Sequence, residues 1–199
     1  MTLLIRLAAP LQAWGSDSKF NTRRTEREPT KSGVIGLCAC ALGRKRTDTI
    51  TDLAELRYGV RTDKQGQLIT DFQTAKNSKT SFLSYRHYLA DAVFIAGLEG
   101  DTELLMKINA ALGSPVYPLF LGRRSCPPTL PLSLGLVELP LLDALKEGAK
   151  PNTRILIDCE QPTSIQKRDL PLSFSQENRK YIFRSLKECW SYVHITDKS

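Results

Sequence analysis

Short hydrophobic runs separated by turn-forming residues predict an α+β protein. A buried strand is predicted over 2–9, because TLLIRLAA is short, apolar and followed by Pro10. A helix is predicted over 32–43, with Ser32 as its N-cap and Gly43 just after its last turn. A second helix is predicted over 101–113, where Asp101 can cap the first turn and leucines recur on one face.

The remaining hydrophobic runs predict further strands and brief helices. Helices are predicted at 50–57 and 140–148, and strands at 58–63, 87–97, 132–139, 153–159, 169–174 and 181–186. The segment 65–82 is polar, and Gly66 gives a turn signal, so a projecting hairpin is predicted there. The order of strand, helix, strands, helix and strand matches the split βαβ, ferredoxin-like plan.

Positive charge is concentrated near the start of the chain. The net charge is +7, and residues 1–50 hold nine Lys and Arg against four Asp and Glu, an excess of five. Part of this excess lies in the segment 11–32, whose length without a regular pattern is typical of a functional or disordered loop. A basic excess near one end favours a phosphate-rich partner or an anionic surface, although it could also serve solubility alone.

The composition excludes several classes of protein. No apolar run approaches the roughly 20 residues of a membrane span, and Arg6 interrupts the first apolar run, so a cytoplasmic protein without a signal peptide is expected. The five cysteines include no CxxC pair, and the two histidines lie far from any cysteine pair, so reduced core cysteines are expected, without a metal. The sequence contains no GxxxxGK[ST], GxGxxG, GxSxG or HExxH motif, and no cofactor is expected.

Two glycine-containing segments are candidate phosphate sites. In PTKSG (29–33), Lys31, Ser32 and Gly33 would offer a charge, a hydroxyl and amides at a helix N-terminus, where the macrodipole favours an anion. An ordinary capping turn is the alternative interpretation.

In LGRRSCP (121–127), Gly122 permits a close approach of the backbone, and Arg123 and Arg124 carry guanidinium groups that match phosphate, with Ser125 beside them. Consecutive residues of an extended segment point in opposite directions. Only one of the two arginines is therefore expected to face a ligand, while the other forms an ion pair or contacts a partner.

Weaker candidates lie elsewhere in the first half of the chain. Gln12 could form hydrogen bonds with a base and Trp14 could stack on one, although a lone tryptophan near a strand end is usually a core residue. Arg23 and Arg24 belong to a charge run that could simply be solvated.

The segment SYRHYLAD (84–91) is the candidate for RNA cleavage without a metal. Such a reaction needs a base, an acid and a cation, and Arg86 and His87 lie between two tyrosines. A single histidine beside aromatic residues is more often structural, and the sequence connects no second titratable group to it.

Five segments, taken together and in this order, resemble the CasD family of subunits of type I-E CRISPR Cascade complexes. They are RLAAPLQAWG, PTKSGVIGLCACALG, YRHYLADAVFIAG, YPLFLGRRSCPP and DLPLSF, and they span about Leu4 to about Phe174. The resemblance implies a single domain over 1–199 with a ferredoxin-like (RRM-like) core. It also implies a projecting β-hairpin thumb at about 64–84, and we expect a C-terminal extension at about 140–199 that is short and irregular.

The resemblance also implies a function in RNA-guided DNA targeting for antiviral defence. The chain would bind the 5′ handle of the crRNA, contact the Cascade backbone subunit and the large subunit, and meet target DNA only indirectly through the complex. No catalytic residue, metal, cofactor or membrane contact is expected. The alternatives are a metal-independent endoribonuclease that processes pre-crRNA, as in type I-C relatives, and a scaffold without RNA contact. The expected RNA-binding residues are Gln12, Trp14, Arg23, Arg24, Lys31, Ser32, Gly33, Arg86, His87, Gly122, Arg123, Arg124 and Ser125.

Overall fold

The first strand of the chain is buried on both faces, as its apolar run predicts. In the computed structural model, which describes residues 1–15, 22–76 and 80–191, strand β1 covers Thr2–Ala8. Leu3, Ile5 and Leu7 alternate onto one face and are fully buried, while Leu4 packs into a second cluster on the opposite face. Elements are therefore packed on both faces of this strand.

The main sheet has seven strands among the described residues, and every neighbouring pair is antiparallel. Its strand order is β10-β11-β9-β4-β7-β1-β8. Besides β1, its strands are β4 (Arg57–Lys64), β7 (Val93–Glu99), β8 (Ser133–Val137), β9 (Arg154–Cys159), β10 (Ile165–Ser173) and β11 (Lys180–Trp190). The predicted α+β class is confirmed, with a mostly antiparallel sheet.

Helices cover both faces of the main sheet. Helices α1 (Lys31–Ala41) and α3 (Thr102–Gly113) contribute Val34, Ile35, Leu105 and Ile108 to the larger core cluster. The short helix α2 (Thr51–Glu55) adds Leu53 to the same cluster. Helix α4 (Leu141–Lys146) covers the other face.

Helix α4 lies unusually close to the sheet because two glycines lie beneath it. A Cβ built on Gly97 would lie 2.6 Å from Leu141 Cδ1, and one on Gly59 would lie 2.7 Å from Leu145 Cδ1. The buried Arg61 guanidinium donates to the carbonyls of Leu145 and Glu147 at 2.8 and 2.7 Å. It thereby satisfies carbonyl groups that the end of the helix leaves without an internal partner.

A second, smaller sheet carries the predicted hairpin. Strands β5 (Gln67–Lys76) and β6 (Ser81–Ala90) pair antiparallel, and β6 also pairs with β2 (Leu11–Gln12) and β3 (Thr22–Arg23). The single strand predicted over 87–97 is wrong. Because Asp91 adopts a positive φ of 53° and Ala92 follows it outside any strand, the chain leaves one sheet at Ala90 and enters the other at Val93.

The C-terminal extension is not the short irregular region that was expected. Strands β9, β10 and β11 extend the main sheet by three positions beyond β4. The strands predicted at 169–174 and 181–186 are present but begin earlier or run longer. Residues 192–199 of the extension, 16–21 of the predicted loop and 77–79 at the hairpin tip lie outside the described residues.

A buried ion network explains why this extension is ordered. Arg184 on β11 donates from Nε and Nη2 to both carboxylate oxygens of Asp169 on β10, at 2.6 and 2.9 Å, and from Nη1 to Asp158 on β9. The side chains of Arg184 and Asp169 are each only 7% exposed. The Arg184 guanidinium also lies over the ring of Tyr58 on β4, at 5.1 Å. Three C-terminal strands are thus joined to the core by charges that satisfy one another.

None of the helices among the described residues is long and apolar enough to cross a membrane.

We predict that Asp169→Asn lowers the free energy of unfolding by about 3 kcal/mol, because removing one partner of a buried ion pair leaves the other charge uncompensated. Urea denaturation of the full chain, followed by tryptophan fluorescence, measures the change. The control is Asp91→Asn, an exposed residue in a left-handed conformation that asparagine also tolerates, and it should stay within about 0.5 kcal/mol of the parent chain. If the two variants lose the same free energy of unfolding, the claim that the ion network stabilises the fold is contradicted.

Candidate nucleic-acid interface

The N-terminus of α1 is already occupied by a carboxylate of the chain itself. Thr30, not Ser32, is the N-cap, and its hydroxyl accepts from Gly33 N at 3.2 Å. The amide of Lys31 donates to Asp169 Oδ2 at 2.9 Å. The Lys31 ammonium, which is buried, donates to Asp158 at 2.9 Å. Burial lowers the pKa of Lys31 and outweighs the opposing effect of Asp158. The charge of Lys31 is therefore paired inside the protein, and phosphate binding by Lys31 stays a prediction that this arrangement does not support.

Gln12 and Trp14 are core residues, and Gly33 serves their packing. Gln12 is fully buried, and its amide donates to the carbonyls of Leu7 and Ala92 and accepts from the Trp14 indole at 3.1 Å. A Cβ on Gly33 would lie 2.8 Å from the Trp14 ring. The polar groups and ring surface of Gln12 and Trp14 are therefore used inside the fold, and RNA contact by these two residues stays a prediction that their burial does not support.

The turn at 121–126 depends on Gly122. This residue has a φ of 87°, and a Cβ on it would lie 1.6 Å from the carbonyl oxygen of Ala13, so only glycine fits. Leu121 and Cys126 are buried at the two ends of the turn, and Leu121 N donates to Cys126 O at 2.8 Å. The close approach predicted at Gly122 is thus made to the chain's own backbone.

Arg123 points inward and joins three segments. Its guanidinium donates to the carbonyl of His87 at 3.1 Å and to those of Arg23 and Arg24 at 2.9 and 3.3 Å. It also lies 4.6 Å from the centre of the Tyr88 ring. Burial opposes ionisation of Tyr88, but hydrogen bonds from Ser125 and Arg123 and the charge of Arg123 outweigh it and lower the pKa of that phenol. These contacts give Arg123 a structural role, and its contact with RNA stays a prediction.

Arg124 points outward into a broad groove in the part of the chain that the structure describes. The groove has a volume of about 1230 Å³ and lies between α1, the 117–127 segment and the β10–β11 turn. The Arg124 side chain is exposed here. The groove is lined by Ser32, Gly33, Gly36, Leu37, Ala39, Cys40, Arg44, Lys45, Arg46, Tyr117, Pro118, Leu119, Phe120, Gly122, Arg124, Pro127, Phe174, Gln176, Arg179 and Tyr181.

The groove is basic and carries aromatic side chains. Five of the lining residues are Arg or Lys and none is Asp or Glu. Arg44 is partly neutralised, because Asp52 accepts two hydrogen bonds from its guanidinium at 2.6 and 2.5 Å. The other four basic residues form no ion pair with a described residue. Tyr117, Phe120, Phe174 and Tyr181 add ring surface to the same groove.

Sequence reasoning missed most of these groove residues. The run Arg44–Arg46 directly after α1 was a visible signal, because three consecutive basic residues at a helix end are an electrostatic feature. Arg179 and Tyr181 had no local signal. They reach the groove only because β10 and β11 join the main sheet next to α1, which sequence pattern alone does not reveal.

The strand β6 does not present an acid–base pair. His87 Nδ1 lies 2.9 Å from the Thr70 hydroxyl, and Tyr85 packs edge-on against Phe72. Among the described residues, no group of three His, Cys, Asp or Glu side chains could hold a metal ion. The side-chain hydrogen bond of His87 among the described residues is thus made to a hydroxyl and not to a second acid or base.

The division of roles between the two adjacent arginines gives a direct test. We predict that Arg123→Ala lowers the free energy of unfolding by about 2 kcal/mol, because three carbonyls lose a charged donor and Tyr88 loses its cation. The matched variant Arg124→Ala should change it by less than about 0.5 kcal/mol, because that side chain is exposed. Urea denaturation of the two variants side by side is the measurement. A larger loss in Arg124→Ala would contradict the assignment.

Comparison with known proteins agrees with this architecture. Residues 2–187 match the family model described as CRISPR-associated protein (Cas_Cas5). The CRISPR system Cascade subunit CasD of Escherichia coli (strain K12) is 35% identical over 156 residues, covering 67% of this chain and 70% of that protein.

Two solved structures are similar over almost the whole chain. One, described as a crystal structure of a Cas protein, has a TM-score of 0.78 and 39% identity, and the match covers 96% of this chain and 94% of that one. The other is a chain of a CRISPR RNA-guided surveillance complex, with a TM-score of 0.84 and 29% identity over 97% of this chain and 91% of that one. The chain therefore belongs to the Cas5 family of CRISPR-associated proteins.

Proposed function

We propose that this protein is a non-catalytic subunit of a type I-E Cascade complex and that it binds the 5′ handle of the crRNA in the basic groove. The observation that carries the proposal is the lining of the groove, which combines basic and aromatic residues with no carboxylate. The similarity to CasD of Escherichia coli and to a surveillance-complex chain supports the same conclusion.

The chemistry of the groove suits single-stranded RNA. Guanidinium and ammonium groups pair with phosphates without regard to sequence, and aromatic rings stack on unpaired bases. Lys45, Arg46, Arg124 and Arg179 would meet the backbone, and the rings of Tyr117 and Phe174 would meet bases. Of the residues predicted from sequence, Ser32, Gly33 and Gly122 also border the groove.

The proposed architecture is one domain with a ferredoxin-like core. Its support is the strand order β8-β1-β7-β4, in which α1 follows β1 and α3 follows β7, as in a split βαβ plan. The C-terminal strands would be an addition to this core rather than a separate unit.

The hairpin β5–β6 would be the thumb that contacts the Cascade backbone subunit. Its two strands expose apolar side chains on one face, including Phe72 at 63% exposure, Leu83 and Tyr85. Exposed apolar patches on soluble proteins commonly mark protein interfaces.

The large subunit is the other proposed protein partner. Target DNA would be contacted only indirectly, through the assembled complex. We expect this complex in the cytoplasm.

A non-catalytic role is preferred over processing of pre-crRNA. His87 is held by Thr70, and no second titratable side chain among the described residues is bonded to it. General acid–base cleavage of RNA needs two such groups. No observation favours the endoribonuclease over a binding subunit.

We predict that replacing Arg124 and Arg179 together by glutamine weakens binding of the cognate 5′-handle RNA about tenfold and reduces the slope of log affinity against log salt by about 1.4, since each single-strand phosphate contact contributes about 0.7. Fluorescence anisotropy with labelled handle RNA, titrated with the full chain over a salt series, measures both quantities. RNA recovered from these titrations, run with EDTA present, should be intact.

The control is Lys107→Gln on α3, which removes one exposed charge outside the groove and should leave the slope unchanged. Identical slopes for the parent chain and the double variant would refute RNA binding in the groove. Defined cleavage products that disappear in His87→Ala would replace the binding role with an endoribonuclease.

A further inference from the structure

Two arginines lie side by side on the small sheet, outside the groove. Strand β3 pairs parallel with β6, and the register places Arg23 directly opposite Arg86. Residues opposite each other in a ladder carry their side chains on the same face of the sheet. Tyr88 lies two residues beyond Arg86 on that face, and the guanidinium of Arg123 lies over its ring. Three arginine side chains therefore share one small surface.

These charges are not neutralised by the described part of the chain. None of Arg23, Arg86 and Arg123 forms an ion pair there, and Arg123 donates to backbone carbonyls. Asp71 is the carboxylate opposite Arg86 on β5, but it accepts a hydrogen bond from Gln73 at 2.8 Å and forms no ion pair within 4.0 Å. Like charges opposite each other destabilise a sheet.

Arg86 also has an unpaired buried donor. Its Nε atom is buried and has no hydrogen-bond partner among the described residues. It is the one such side-chain atom found in that part of the chain. A buried donor without an acceptor costs free energy, and more so when it belongs to a charged group. An arginine kept in this position next to a second arginine indicates that an anion from outside the chain completes it.

We propose that Arg23 and Arg86 form a second phosphodiester site, distinct from the groove, that holds the same RNA strand beyond Arg124. The two sites meet at the 121–126 turn. Arg124 lines the groove, while its neighbour Arg123 bonds to the backbone of both β3 and β6. A strand that leaves the groove across this turn reaches the Arg23–Arg86 surface. This inference rests on the proposed function of the groove.

The test uses Arg86→Gln and oligouridylates of about four and about twelve nucleotides, because phosphate contacts do not depend on sequence and a short strand can fill only one of the two sites. We expect Arg86→Gln to lower affinity for the longer RNA about tenfold and to reduce its salt slope by about 0.7. Affinity for the shorter RNA, held in the groove, should be unchanged. The melting temperature of the variant should equal or exceed that of the parent chain, because an unpaired buried donor and a like-charge contact are removed.

Matched variants keep this test separate from that of the groove. Arg124→Gln should lower the affinity for both RNAs, and Lys107→Gln should change the affinity for neither. If Arg124→Gln weakens binding while Arg86→Gln matches Lys107→Gln for both RNAs, the groove binds RNA and the second site is refuted. If no variant changes binding, the proposed function fails as well.

A structural role would give a different result. In that case Arg86→Gln would lower the melting temperature and would lower the affinity for both RNAs equally, without changing the salt slope of binding. This result would overturn the proposal. If Arg86→Gln leaves RNA binding unchanged but prevents assembly of the Cascade complex, the two arginines instead pair with carboxylates of a protein partner. That result would also overturn the proposal.

Discussion

The rest of the structure depends on the hydrogen bonds that Asp169 of β10 forms with the first amide of α1 and with Arg184. A helix N-terminus attracts an anion, and here the protein supplies that anion itself from a strand far along the sequence. The same carboxylate holds β10 against β11 through Arg184. One interaction therefore closes the apparent phosphate site, orders the C-terminal strands and brings Arg179 and Tyr181 beside α1, where they form one wall of the groove.

The turn at 121–126 divides structural from binding roles in the same way. Gly122 brings the turn against the backbone of Ala13, so the chain direction is fixed within one residue. The chain then turns at Arg123, whose carbonyl accepts from Cys126 N at 2.9 Å, and Arg123 faces the protein while Arg124 faces the groove. Two adjacent residues of the same type thus have different surroundings, and the direction of each side chain, rather than its chemistry, decides which one lines the groove.

The sequence predicts a strand or helix well where a local signal, such as the spacing of apolar residues or an N-cap residue, is enough to define it. Strand β1 and helix α3 lie within a residue of their predicted bounds, because apolar periodicity and Asp101 are local signals. The candidate site was predicted less well. The glycine and arginine pattern points to the turn around Arg124, but it also offers Lys31 and Gln12 as RNA contacts, and the structure buries both side chains against internal partners. Their partners, Asp158 and Ala92, are 127 and 80 residues away, and no local pattern reports such distances.

The most direct test of the account is to map where RNA touches this chain inside the assembled complex. crRNA carrying 4-thiouridine in its 5′ handle, irradiated in the complex and followed by mass spectrometry of the linked peptides, identifies the contacted residues. The account predicts crosslinks to the groove, at Tyr117, Phe120, Phe174 or Tyr181, and none to the buried Lys31, which lies outside the groove lining. Crosslinks at Lys31 with none at the groove residues would contradict it, because they would require Asp169 and Asp158 to release Lys31 to the RNA.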